Sequence, residues 1–260
     1  MGRLDDDPEG RAFVERISEI CGGGLHVQRA RELLPLLEAQ PGQPVLEVGC
    51  GTGAVIRELV QLTDGQVPIT GVDPSRIALE FAEAQTRSDA VEFCHMDGRA
   101  LDFADGAFAA AFSSRVLIHA AEPDKVVAEM ARVIAPGGRV LCIEPLIQPV
   151  TGIDDALRRT VTAWTNPDIA RELPGLFRRS GLSDVTVTPH VALNASPPDA
   201  RALREEFLAD RGRFYANVRD GRCSRDDVLR MLEQMETVAG RGDFLECLVH
   251  YAVMGRKPTR

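Results

Sequence analysis

Residues 45–53 read VLEVGCGTG, an apolar run that meets glycines at 49, 51 and 53 and then passes into an amphipathic stretch. This predicts a strand, a tight turn and a helix, the opening unit of an α/β sheet with a ligand cradle at its tip. Glycines at alternate positions remove every Cβ that would hold a ligand off the backbone, and they permit positive φ in the turn. The helix that starts near Gly53 offers unpaired N–H groups to a carboxylate or phosphate. Two ligand classes use such a loop. Gly49, Gly51 and Ala54 satisfy the dinucleotide pattern G-x-G-x-x-G/A, and Asp73 lies at a suitable distance downstream for a ribose.

The next segments separate the two classes. Residues 66–72 read as a second strand that runs into GVDPS, which puts the Asp73 carboxylate at the strand's carboxyl end, able to accept from two ribose hydroxyls. Residues 91–93 are a third strand followed by HMDGRA, and Asp97 there suits an exocyclic amine such as that of adenine. Residues 107–114 are a fourth strand, followed by RVLIH and a helix over 123–134. In this order VLEVGCGTG, GVDPS, HMDGRALDFADGAF, SSRVLIHAAEPDKVVAEMARVIAPGGRVLCIEP and the closing GDFLECLVHYAVMGRKP resemble the class I S-adenosylmethionine-dependent methyltransferases. The resemblance is to the small-molecule group that includes the ubiquinone and menaquinone biosynthetic enzymes. It covers residues 43–145 strongly and 167–194 and 243–258 more weakly. A dehydrogenase has no use for a second acid at Asp97 or for this ending.

The resemblance implies a Rossmann-like α/β fold: a seven-stranded, mostly parallel sheet with an antiparallel last strand and helices on both faces. It implies S-adenosyl-L-methionine as cofactor, released as S-adenosyl-L-homocysteine, and no metal. Glu47 and the loop Gly49, Cys50, Gly51, Thr52 and Gly53 would surround the methionyl end, and Ser114 and Arg115 would meet it from the fourth strand. Asp73, with Pro74 beside it, would take the ribose, while Met96, Asp97 and Gly98 would take the adenine.

Methyl transfer chiefly needs an acceptor held about 3–3.5 Å from the methyl carbon with water kept out. An oxygen acceptor must also lose a proton, and His119, a few residues beyond the fourth strand, is the candidate base or substrate contact, with simple packing as the alternative. Glu144, at the end of strand five, either faces the acceptor or caps the strand end. Trp164 and Tyr215, with Phe13 and Phe214, either wall an apolar acceptor pocket or form the core of a lid. His26 sits beside Gly22-Gly23-Gly24, a hinge candidate or an ordinary helix breaker, and His95 reads as a strand-end residue.

At 260 residues and 44% hydrophobic content, the chain can bury the core of a single domain over 1–260. Its expected parts are an N-terminal helical lid over 1–42, a cofactor-binding core over 43–194 and 243–258, and a helical insertion over 195–242. Within the lid, helices are expected over 9–21 and 25–39. After strand five come a helix over 153–165, another over 167–180, a strand over 185–193, helices over 199–217 and 224–239, and a last strand over 244–254. A net charge of −9 argues against a nucleic-acid partner. The basic residues of 201–222 are interleaved with acids. Six scattered cysteines without a C-x-x-C pair read as reduced fillers. No stretch is long and apolar enough for membrane insertion, and no signal pattern opens the chain, so a cytoplasmic protein is expected; monomer and homodimer both stay open.

The leading expectation is therefore methyl transfer from S-adenosylmethionine to an O or N atom of a small organic, quinone-like or secondary-metabolite acceptor. Behind it stand a cyclase or aminopropyl transferase on the same fold and a non-catalytic cofactor-binding scaffold. A dinucleotide oxidoreductase comes last.

Overall fold

The structure, a computed structural model, describes Asp5, residues 10–21 and residues 24–259. Gly22, Gly23 and the side chain of His26 lie outside the described residues. The strands are β1 (Val45–Val48), β2 (Ile69–Asp73), β3 (Val91–His95), β4 (Phe108–Ser114), β5 (Ile134–Leu146), β6 (Ser183–Asn194) and β7 (Glu246–Arg256). They form one sheet in the order β3-β2-β1-β4-β5-β7-β6. β1 pairs parallel with β2 and β4, β2 with β3, and β4 with β5. β7 runs the other way: Lys257 is bonded to Gly137 and Gly138, whereas Glu246 is bridged to Val150, so one number rises as its partner falls. Sequence order reverses between β1 and β4, and ligands of open α/β sheets bind beyond the carboxyl ends at such a point.

The helices preceding the sheet are α1 (Gly10–Cys21) and α2 (Gly24–Leu33); α3 (Ala54–Leu62), α4 (Arg76–Gln85) and α5 (Pro123–Val133) connect its parallel strands. α1 lies along α4, where Arg11 meets Glu80 at 2.5 Å and Ser18 bonds Gln85. α2 lies along α3, tied by Arg31 to Glu58 at 2.6 Å. Ala30, Leu33, Leu34 and Leu37 enter the same core as Val45, Ile56, Ile69, Phe112 and Ile143, so the described N-terminal helices belong to the wall of the sheet. The expected helix over 25–39 stops at Leu33 and tightens into a 3-10 turn, Leu34–Leu37. Pro35 is the cause: it lacks an N–H, and its ring disfavours α geometry in the residue before it.

The described residues of 1–145, 168–190 and 250–260 form one compact unit, and 146–167 with 191–249 form a second. The first unit also holds α7 (Ile169–Arg179). The second holds α6 (Asp155–Thr162), α8 (Ala200–Leu208), α9 (Gly212–Arg219) and α10 (Arg225–Arg241), gathered on a core that includes Val161, Phe207, Phe214, Val228 and Leu232. The single helix expected over 199–217 is broken in two, because Asp210 and Gly212 take positive φ of 56° and 82°. α10 opens with a capping box between Ser224 and Asp227 and closes on Gly242 in the left-handed region. No helix among the described residues is long and apolar enough to cross a membrane.

Candidate active site

The glycine loop leaves β1 still attached to β2, since the N–H groups of Gly49 and Cys50 both donate to the Val72 carbonyl, at 2.7 and 3.0 Å. Gly49, Gly51 and Gly53 all lie at positive φ (74°, 52° and 72°), as the sequence requires. Their surroundings differ. A Cβ on Gly49 would lie 2.4 Å from Cγ2 of Val116, whereas a Cβ on Gly51 would meet nothing within 4 Å. Gly49 is thus a packing glycine, and Gly51 faces open space of the kind a ligand needs.

Asp73 is fully buried at the tip of β2. Its Oδ2 accepts the Gly51 N–H and its Oδ1 the Ser75 N–H, each at 2.9 Å. Burial pushes its carboxyl above the usual range, against the pull of those two N–H groups. Ser75 caps α4 through the Ala78 N–H, and Asp5 accepts from the Ser75 hydroxyl and the N–H groups of Arg76 and Ile77. Nothing in the run of acids at residues 5–7 marked Asp5 for that place.

Glu47, 1% exposed on β1, has an Oε2 with no hydrogen-bond partner among the described residues. Burial, with Asp73 nearby, drives its carboxyl well above the ordinary value, and Arg57 opposes this. A buried acceptor without a donor is costly. A cationic ammonium is the donor such a carboxylate lacks, so the observed orphan oxygen fits the amine of a methionyl group.

At the tip of β3, the Met96 N–H donates to the Asp73 carbonyl at 3.2 Å, joining the two tips. A Cβ on Gly98 would lie 2.6 Å from Cγ1 of Val48, so only glycine allows this loop to close over β1. Asp97 is half exposed and engaged by Arg99, whose Nη2 donates at 2.6 Å and whose Nε reaches both carboxylate oxygens; Arg99 also meets Glu122 at 3.0 Å. The Arg99 guanidinium holds the Asp97 carboxyl below its usual range. Nothing in the local pattern HMDGRA marks Arg99 for this clamp.

β4 ends at Ser114, and Arg115 takes a φ of 60°, turning the chain while its N–H stays on the Ile143 carbonyl at 2.8 Å. His119 follows on the turn, exposed, with its backbone N–H on the Val116 carbonyl. Glu144 is fully buried at the end of β5, and both of its oxygens accept backbone N–H groups of residues 116–118. Of its two expected roles, strand-end cap and acceptor contact, these bonds are those of the cap. Trp164 and Tyr215 belong to the second unit, where Tyr215 packs against the core. The residues assembled at the first unit's strand tips are therefore Glu47, the glycine loop, Asp73, Pro74, residues 96–98, Ser114 and Arg115.

A family described as a methyltransferase domain matches residues 46–142. The chain is 32% identical to methyltransferase GfsG of Streptomyces halstedii over 60% of this chain and 59% of that one. It is 33% identical to O-methyltransferase rstn1 of Aspergillus nomiae over 70% of this chain and 80% of that one. Counting GfsG, the chain spans 48%, 59% and 63% of the length of three of its curated relatives, under two thirds of each. Among solved structures, the 4+2 cyclase SpnF superposes with a TM-score of 0.63 at 21% identity, over 90% of this chain and 82% of that one, a likeness of fold. With the tips of three parallel strands bearing the glycine turn and its paired acids, and a relative this similar over four-fifths of its length, the chain belongs to the class I S-adenosylmethionine-dependent methyltransferases.

Proposed function

We propose that this protein transfers a methyl group from S-adenosylmethionine to an O or N atom of a small organic acceptor. The observation that carries the reading is the junction of Gly51 and Asp73, with the open space beside Gly51 and the unpartnered oxygen of Glu47 close by. When bound, S-adenosylmethionine supplies an activated methyl group on a sulfonium and leaves as S-adenosylhomocysteine. Glu47 offers its acceptor to the amine, the loop from Gly49 to Gly53 lines the methionyl end with Ser114 and Arg115, and Asp73 accepts from the ribose hydroxyls. Met96, Asp97 and Gly98 flank the adenine. Orientation and exclusion of water provide the catalysis, so no metal ion is invoked. For a hydroxyl acceptor, His119 takes the proton; an amine acceptor arrives neutral and asks nothing of it.

We further take the protein to act in the cytoplasm on a free metabolite as a monomer or homodimer, with no nucleic-acid partner. Its net charge of −9 supports the last point. O-methyltransferase rstn1 and methyltransferase GfsG support transfer as the chemistry. The cyclase with the same fold shows why a likeness of fold does not settle it.

Thermal-shift measurements with S-adenosylmethionine, S-adenosylhomocysteine and NAD test the cofactor: the first two should stabilise, by about 2.7 kcal/mol at a hundredfold excess over the dissociation constant. Stabilisation by NAD alone would overturn the reading. Incubation with methyl-labelled donor and a panel of phenols and amines should label a small molecule. A consumed acceptor with no label incorporated would point to cyclase chemistry.

A further inference from the structure

Glu144 accepts the N–H groups of Val116 and Leu117 on Oε1, at 2.9 and 2.8 Å, and that of Ile118 on Oε2 at 3.2 Å. Three converging donors are an anion-binding arrangement, and here the anion is built into the chain. The turn it grips begins at Arg115, whose positive φ costs a non-glycine residue energy that the surroundings must offset. On its far side the turn carries Val116, whose methyl groups pack so closely on Gly49 that no Cβ fits between them. A continuous line of contact therefore runs from the buried end of β5, through the turn, to the first glycine of the cofactor loop.

We propose that Glu144 is a positioning residue: it holds the 115–118 turn against Gly49, and the wall beside the methionyl end of the cofactor forms only while its carboxylate accepts those N–H groups. This rests on the methyl-donor reading above. Glutamine at 144 would keep one acceptor oxygen and turn an NH2 group toward donors, so part of the grip becomes repulsive. Aspartate would keep the charge and both acceptors on a shorter stem. The charged and titratable groups that bear on this carboxylate are Arg115 on the turn and Cys142 on β5.

The test uses the full chain with Glu144→Gln, Glu144→Asp and Val116→Ala, titrated with S-adenosylhomocysteine by calorimetry at about pH 8, where the carboxylate is ionised. Amide exchange is followed alongside over residues 49–53 and 115–119. Glu144→Gln should weaken binding by about tenfold or more and speed exchange in both segments, and Glu144→Asp should recover much of the affinity. If Glu144→Gln is insoluble, Val116→Ala carries the test, since it removes the wall and leaves the buried carboxylate in place; affinity within twofold of the parent overturns the assignment. So does a Glu144→Gln variant that binds within twofold, or one that loses affinity with exchange unchanged in both segments. If the parent protein itself fails to bind S-adenosylhomocysteine, the methyl-donor reading falls, and this assignment with it.

Discussion

Oδ2 of Asp73 accepts the Gly51 N–H at 2.9 Å, so the acid at the tip of β2 and the loop at the tip of β1 are one hydrogen-bonded unit. Each oxygen of Asp73 already holds one backbone donor, Gly51 on one and Ser75 on the other. An ionised carboxylate has roughly four acceptor sites. One therefore remains on each oxygen, which matches the two neighbouring hydroxyls of a ribose. Asp73→Ala should weaken S-adenosylhomocysteine binding by about tenfold or more, through lost acceptors and a loosened loop. Calorimetry showing affinity within twofold of the parent would place the ribose elsewhere.

The glycines of the loop should separate under substitution. Gly49→Ala drives a Cβ into Val116 at 2.4 Å and also strains a backbone at φ 74°, so its effect falls on folding, and a loss of several degrees in Tm is expected. At Gly51 an added Cβ meets nothing within 4 Å, so the folding cost of Gly51→Val comes chiefly from the positive φ of 52°, about 1–2 kcal/mol. Its effect falls on ligand binding, which should be abolished. Melting curves with and without S-adenosylhomocysteine check both. A Gly51→Val variant that still gains stability from the ligand would mean the methionyl end avoids the loop.

Burial pushes the Glu144 carboxyl from 4.5 up to about 7, against the N–H groups of Leu117, Ile118 and Val116 that favour its charge. Between those values the folded protein keeps a proton that the unfolded chain has released. This contribution to stability is complete below the unfolded value and is lost as pH rises through about 7, an interval worth roughly 3 kcal/mol. Asp73 and Glu47 are raised as well and act with the same sign. Tm should therefore fall as pH rises from about 5 to about 8, and fall less steeply in Glu144→Gln, whose amide does not titrate there. Parallel slopes for parent and variant would show that Glu144 titrates in its ordinary range.

What the sequence made legible was whatever depends on local spacing. The strand-to-glycine boundary at Val48–Gly49 and the acid ending β2 follow from patterns a few residues long, and the mostly parallel sheet from the ordered series of motifs that carries the resemblance. Relationships between distant segments were not legible. Arg99 clamps Asp97 two residues away, but no local rule tells that pair from any other exposed turn. Asp5 caps a helix 71 residues further on. Glu144 could be placed at a strand end, yet whether its carboxylate met ligand or backbone depended on Arg115 turning residues 116–118 back over it. The helix break at 210–212 leaves no trace in the pattern of apolar residues, which continues across it while the backbone leaves the right-handed region at Asp210.

His119 stands on the same turn that Glu144 secures, one residue beyond the last N–H the carboxylate holds, and it is exposed. Its imidazole is the kind of group whose proton affinity suits removal of a proton from a phenol near neutral pH. A base that meets only the acceptor has no part in holding the cofactor, so the two functions should come apart on substitution. His119→Ala should lower kcat on a hydroxyl acceptor by about a hundredfold, the lower end of what a general base contributes, with S-adenosylhomocysteine affinity within twofold of the parent. On an amine acceptor, which arrives neutral, the loss should be much smaller. Equal losses on both acceptors would assign His119 to shaping the turn, and parent-like turnover on both would leave it no part in the chemistry.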